Sequence, residues 1–170
     1  MASGDQKLVY GSSAALTITL ASLATDANLL TGRESTAVDN SANLYLDELI
    51  AGKITTGTTP TTAKTIEVWA FGALDDTPTY PDVFDGTDSA ETVTSDEIKG
   101  AILRPIAILP VLGTSDQAYP FGPVSLASRF GGIVPVHWGI FVTHDTAVNL
   151  NATAGNHSIK HTPVYLNTAP

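Results

Sequence analysis

Apolar residues recur at every second position along much of this chain. The longest run places Val134, Val136, Trp138, Ile140 and Val142 on one side of an extended segment. Because successive side chains of a strand point to opposite faces of a sheet, this spacing predicts a strand with one buried face. The same spacing predicts strands within residues 16–20, 44–54 and 66–70, and a closing strand within residues 159–166.

A different pattern runs from Ile102 to Leu112, where nearly every residue is apolar. Pro105 and Pro110 exclude a regular helix and cannot donate a hydrogen bond to a sheet ladder. The run therefore predicts an edge strand, or a pair of short strands, covered on both faces. The cover is either a second sheet, which makes the run part of the core, or a neighbouring subunit, which makes it an interface.

Helical spacing is scarce, although Ser95 can cap a single turn that Gly100 would end. Polar connections separate the strands at residues 31–42, 55–62 and 75–96. Short strands joined by such loops are typical of sandwiches, jelly rolls and barrels. We therefore expect an all-β, antiparallel β-sandwich that is jelly-roll-like, with long polar loops and little helix. Residues 13–170 are expected to form one domain, and residues 1–12 a flexible N-terminal arm.

Charge and composition exclude several classes of protein. The chain has 170 residues, of which eight are basic and 17 acidic, so its net charge is −9. This balance argues against a protein that neutralises nucleic-acid phosphates. The absence of cysteine excludes disulfides, thiolate metal sites and cysteine nucleophiles. We expect neither a secretory signal nor a membrane partner, because no basic segment precedes an apolar run and no run is apolar enough for a spanning helix.

Residues 75–96 are rich in acids. Asp82, Asp85, Asp88 and Glu91 supply the oxygen ligands that calcium takes. The alternating Asp-x-Asp-x-Asp-Gly spacing of a calcium loop is absent, however. The segment is therefore interpreted as a solvated acidic loop, with a calcium site as the weaker alternative, and no cofactor is expected.

Recognisable catalytic patterns are missing from the sequence, which has no nucleophile elbow, phosphate loop or dinucleotide fingerprint. Glu48 and Glu67 lie within strands, where we expect them to face solvent. The sequence therefore predicts a protein that is not an enzyme.

One stretch resembles a known class of structural proteins. Leu44-Tyr45-Leu46-Asp47 through Ile54-Thr55-Thr56-Gly57, followed by Thr65–Ala70, is similar to head decoration or cement proteins of tailed bacteriophages. The resemblance covers about a third of the chain and carries over no individual functional residue. It implies a homodimer or homotrimer, made in the host cytoplasm, that binds the major capsid protein on the outer capsid surface of the virion. A place in the tail or at a fibre base stays open.

On this interpretation the contact residues fall in the arm, in the apolar run and on the outward side of one strand. The candidates are Leu8, Val9, Tyr10, Ile102, Leu103, Ile106, Ile108, Leu109, Val111 and Trp69. The arm is expected to act as a tether, because an extended segment can add a strand to another sheet.

Two alternatives have different structural requirements. A carbohydrate-binding β-sandwich, assisted by calcium, needs a groove with two or more exposed aromatic rings beside Asp85 or Asp88. A small jelly-roll enzyme needs the four histidines, at positions 137, 144, 157 and 161, to converge on a metal. In regular strands the first two of these histidines would face opposite sides of the sheet.

Overall fold

The computed structural model describes residues 5–75 and 77–168. These residues form eleven strands and one short α-helix, α1 (Asp96–Ile102). The strands, in chain order, are β1 (Gln6–Tyr10), β2 (Ala14–Ala15), β3 (Thr31–Glu34), β4 (Val38–Asp39), β5 (Asp47–Thr55), β6 (Thr65–Ala73), β7 (Ala90–Thr92), β8 (Arg104–Pro110), β9 (Ala118–Ser125), β10 (His137–His144) and β11 (Ser158–Thr168). Two 3₁₀ turns cover Ala127–Arg129 and Ala154–Asn156.

The strands build two antiparallel sheets. Sheet A has the order β1–β11–β5–β9, with β2 also paired to β11, and sheet B has the order β7–β3–β10–β6–β8, with β4 paired to β10. The chain passes from sheet to sheet as it runs from β2 to β3, from β5 to β6 and from β9 through β10 to β11. This connection order is that of a jelly roll. The predicted antiparallel β-sandwich is confirmed.

The core lies between the inner faces of the two sheets. On β10, Trp138, Ile140 and Val142 point inward, and Ile140 and Val142 lie opposite Ala70 and Val68 of β6. From sheet A, side chains including Ile50, Ile54, Phe121 and Ile159 meet them. The alternation predicted for residues 66–70 and 137–142 is thus confirmed, whereas residues 134–136 and 16–20, where the same spacing predicts a strand, do not form one.

The outer face of sheet B is covered by a segment of residues 77–103, here called the cover segment. Phe84 from this segment stacks on Phe71 of β6 at 4.5 Å and meets Phe141 of β10 edge-on at 5.4 Å. Val93 and Leu103 are buried in the same second cluster. As a result, every residue of β10 is buried, on both faces of its sheet.

Helix α1 lies in the cover segment and begins as predicted, because the Ser95 hydroxyl accepts a hydrogen bond from the Ile98 N–H. Gly100 does not end it, however. The helix continues to Ile102, and the Leu103 N–H then donates to the Lys99 carbonyl oxygen. No helix among the described residues is long and apolar enough to span a membrane.

Strand β8 occupies an edge of sheet B, as the two prolines predict. The strand is not buried on both faces, so the expectation that it is covered on both sides is wrong. Ile106 and Leu109 pack into the core, and Leu103 and Val111 are buried as well. Ile108, which lies opposite Glu67 at the outer edge of the sheet, stays 47% exposed. Four apolar residues of the run are therefore core, whereas Ile108 and Leu112 remain exposed.

Two segments that the sequence pattern predicts to be an arm and a loop contain strands. In the predicted flexible arm, residues 6–10 form β1 and pair with residues 164–168 of β11, while residues 1–4 lie outside the described chain. The predicted loop 31–42 contains β3 and β4. Gly32 fits there because a Cβ atom would collide with the Val142 carbonyl oxygen of β10.

Two isoleucines should differ strongly in how much they contribute to the free energy of unfolding, because Ile140 is buried between the sheets and Ile108 is exposed. Ile140→Ala should lower the free energy of unfolding by about 2–5 kcal/mol, because it leaves a cavity between the sheets. Ile108→Ala, at the exposed edge, should cost less than about 1 kcal/mol. Urea unfolding followed by circular dichroism measures both, and equal losses would contradict the face assignment.

Candidate interaction surface

Sheet A packs one face on sheet B and turns its outer face to solvent. That outer face is here called the open face, and most of its side chains are exposed or half-exposed, with Val164 buried. They line a shallow depression formed by Tyr10, Leu49, Ala51, Pro123, Lys160 and Thr162. The strand pairing explains why these side chains lie on the outer face. Leu49 is opposite Thr162 and Ala51 is opposite Lys160, and both flank Ile50, which points inward.

At one end the open face continues into a two-stranded ribbon, made of β1 and residues 164–168 of β11. Strand β5 pairs with β11 only as far as Asp47, which lies opposite Val164. Beyond that point the ribbon carries three exposed apolar side chains on the open-face side: Leu8 (55%), Tyr10 (62%) and Leu166 (48%). Leu8 and Leu166 are directly opposite each other.

The charges of the molecule are distributed unequally between its two sides. Lys53 and Lys160 project from the open face, whose strand carboxylate, Asp47, accepts hydrogen bonds from the backbone N–H groups of Glu48 and Ala127. On the opposite side, the acids of residues 82–97 lie within the cover segment. The side with apolar groups and lysines thus faces away from the acidic side.

The carboxylates considered for calcium each hold a different part of the chain. Asp82 accepts hydrogen bonds from Thr94, and Asp85 from Thr87. Asp88 pairs with Arg33 and accepts from Thr19, and Glu91 accepts from the Ser89 hydroxyl. Among the described residues, no three His, Asp or Glu side chains form a group that could hold a metal ion. Asp82, Asp85 and Glu91 therefore bond within the cover segment, whereas Asp88 joins the segment to Arg33 of β3 and to Thr19.

The burial of Glu34 could not be predicted from the sequence, because this residue lies in a segment without apolar alternation. Its carboxyl is completely buried beneath the cover segment, where it accepts hydrogen bonds from the Asp85 N–H at 3.1 Å and the Ser89 hydroxyl at 3.2 Å. Burial first, and then the neighbouring Asp85 carboxyl, raise the pKa of Glu34 to about 7. The Glu34 carboxyl is therefore part of what fastens the cover segment to sheet B.

A second carboxyl, Glu48, points into the core and is fully buried, against the expectation that it faces solvent. Its Oε2 atom is 3.0 Å from Nδ1 of His161. The His161 ring meets Trp138 edge-on at 5.4 Å, so this polar group is packed between the sheets. Its position follows from the strand pairing, which places Glu48 and His161 on the inner face with Ile50.

Glu67 is also covered rather than exposed. It accepts hydrogen bonds from Lys99 of α1 at 2.6 Å and from the Trp69 indole at 2.8 Å. Lys99 donates in addition to the Leu29 carbonyl oxygen and lies 5.0 Å from the Trp69 ring centroid. Trp69, an interface candidate, is thus partly covered by this chain's own helix.

The remaining candidates divide by position. Leu8 and Tyr10 are exposed on the ribbon, with Val9 half-buried on its other side, whereas Ile102 packs on the cluster beneath the cover segment. The ring groove of the carbohydrate alternative does not form among the described residues, because Phe71 is buried and Tyr80 packs edge-on against it.

The histidines do not form a metal-binding group in the described chain. His137 and His144 lie on opposite faces of β10, as expected. His144 is buried, within 3.1 Å of the Leu23 carbonyl oxygen, and His157 lies within 2.9 Å of the Asn151 carbonyl oxygen. Desolvation lowers the pKa of both His144 and His157.

Comparisons with known proteins add little to this picture. No protein-family description and no curated protein sequence matches the chain. Among solved structures, it is similar to a chain described as "Structure of infectious bursal disease virus Gx strain", with a TM-score of 0.37 and 12% identity. The match covers 96% of this chain but only 32% of that one, so the chain spans about a third of its length.

The buried carboxyl predicts a pH-dependent effect of Glu34→Gln. The folded pKa is about 7 against an ordinary value of 4.5, so the stability that protonated Glu34 contributes below 4.5 is lost as the pH rises through 7. Glutamine keeps both accepted hydrogen bonds without ionising. The variant should therefore match the parent at pH 4 and exceed its stability at pH 8 by on the order of 1–3 kcal/mol. Thermal melts across this range measure the difference, and a constant difference would contradict the assignment.

The Lys99–Glu67 pair predicts that α1 is held by a buried charge. Lys99→Met should cost about 3–5 kcal/mol, because it leaves the Glu67 carboxylate without its cation. Adding Glu67→Gln to this variant should recover part of the loss. Lys160→Met, on the open face, serves as the matched control and should change stability by less than about 0.5 kcal/mol. Denaturant unfolding gives all three values, and a loss for Lys99→Met no larger than the control's would refute the pair's role.

Proposed function

We propose that this chain is a non-enzymatic virion structural protein that decorates the outer surface of a phage capsid. In this role it binds the major capsid protein and stabilises the shell by bridging neighbouring capsid subunits. It needs no cofactor, and its contact surface is the open face.

The observation that carries the proposal is the two-sided character of the molecule. One side offers a sheet face with apolar groups and lysines, and the other carries the anchored acidic cover segment. A protein that binds a large surface with one side and meets solvent with the other is expected to have this polarity. Burial of apolar surface on the open face supplies about 25 cal/mol per Å² removed from water.

The fold and the charge support the same role. Jelly rolls are common among viral capsid and lectin domains, although a fold alone does not determine function. A net charge of −9 would repel packaged DNA, so it favours the outside of a shell over the inside. A protein that binds only the assembled shell stabilises that shell by linkage.

The experiment uses empty capsids assembled from the major capsid protein encoded in the same genome. The purified chain should co-sediment with these capsids to saturation and raise their melting temperature in calorimetry. Lys160→Glu, in the middle of the open face, should weaken binding by at least about tenfold, because it places a carboxylate in the contact.

Arg129→Glu is the matched control, because it makes the same change of charge at an exposed position outside the open face. It should leave binding within about twofold of the parent. Absence of saturable binding would overturn the proposed function, and equal losses for the two variants would overturn the open face as the contact.

A further inference from the structure

The free edge of β1 presents backbone groups in a defined order. The Gly11 N–H donates to the Pro163 carbonyl oxygen, so Gly11 faces β11. The Val164 carbonyl oxygen instead accepts from the Leu46 N–H, on the side of β11 away from β1. In an antiparallel pair, hydrogen-bonded and non-hydrogen-bonded positions alternate. Gln6, Leu8 and Tyr10 therefore direct their N–H and C=O groups to the free edge.

The ribbon lacks a third strand along this edge within the described chain. An isolated pair of strands is marginally stable, and a third strand with an apolar face is normally required. Natural edge strands carry prolines, bulges or several charges that prevent pairing. Within Gln6–Tyr10 the edge has no proline and one charged residue, Lys7.

We propose that β1 pairs antiparallel with β1 of a second copy of this chain, around a two-fold axis at Leu8. Leu8 then exchanges two hydrogen bonds with Leu8 of the second copy, and Gln6 pairs with Tyr10 in both directions. Lys7 falls opposite Val9, so no cation meets a cation across the axis. Such a self-complementary contact generates a closed dimer.

The side chains of the ribbon favour β1 of a second copy over an unrelated strand as the partner. Leu166 lies opposite Leu8 on the open-face side of the ribbon. Across the two-fold axis the four strands place Leu166, Leu8 and their two symmetry mates in one row on one face. Cross-strand apolar pairs of this kind each contribute roughly 0.2–1 kcal/mol. The row joins the two open faces side by side, which is how a dimer would span two capsid subunits if the proposed function holds.

Sedimentation equilibrium without capsids tests the dimer separately from capsid binding. The expected mass is twice the chain's 17.7 kDa. Leu8→Lys and Leu8→Glu should each be monomeric, because they place like charges against each other at the axis, and an equimolar mixture of the two should recover a dimer. Leu74→Lys, at an exposed leucine outside the ribbon, should stay dimeric. A monomeric or trimeric parent chain, or no recovery on mixing, would overturn the proposal.

Cross-linking tests the register directly, because the chain has no cysteine of its own. Hydrogen-bonded residues opposite each other have Cα atoms about 5.5 Å apart, within reach of a disulfide. Leu8→Cys should therefore form a covalent dimer under a mild oxidant. Gln6→Cys is the control on the same strand: its two copies lie four residues apart along the pairing, roughly 14 Å, which is too far for a disulfide. Equal cross-linking at both positions would refute the register.

Discussion

Burial of β10 on both faces is the constraint on which the rest of the structure depends. Its inward side chains, Trp138, Ile140 and Val142, close the sandwich core, while Phe141 packs outward beneath Phe84. Because sheet A packs on one face of β10 and the cover segment on the other, the centre of sheet B lies in the interior of the molecule. Sheet A is covered once, so its outer face is open to solvent. Asp88 and the buried Glu34 serve the same arrangement, because their hydrogen bonds join the cover segment to the rest of the molecule.

The parts of the fold that could be predicted from the sequence are those where burial has a period of two. Residues 66–70 and 137–142 alternate, and their inner and outer faces are as the pattern indicates. The prolines at positions 105 and 110 likewise restrict their strand to an edge. In each case the local pattern and the tertiary environment agree.

The sequence failed where a strand is held by neighbours rather than by its own apolar side chains. β3 reads Thr-Gly-Arg-Glu and forms because β10 and β7 pair with it from both sides. β1 was interpreted as a free arm because its partner, the end of β11, is more than 150 residues away in the chain. Glu34 and Glu48 contradict the rule that strand acids face solvent. Each is buried with specific hydrogen-bond partners, the first with Asp85 and Ser89 and the second with His161, and such pairings cannot be deduced from spacing.

If the proposed function holds, the chain contacts capsids through sheet A and keeps its acidic side in solvent. Hydrogen–deuterium exchange of the chain, free and bound to capsids, measures which side becomes covered. New protection is expected in β5, β9 and β11, with exchange in residues 77–95 unchanged. Protection that appears in residues 77–95 while sheet A exchanges as in the free chain would contradict contact through sheet A.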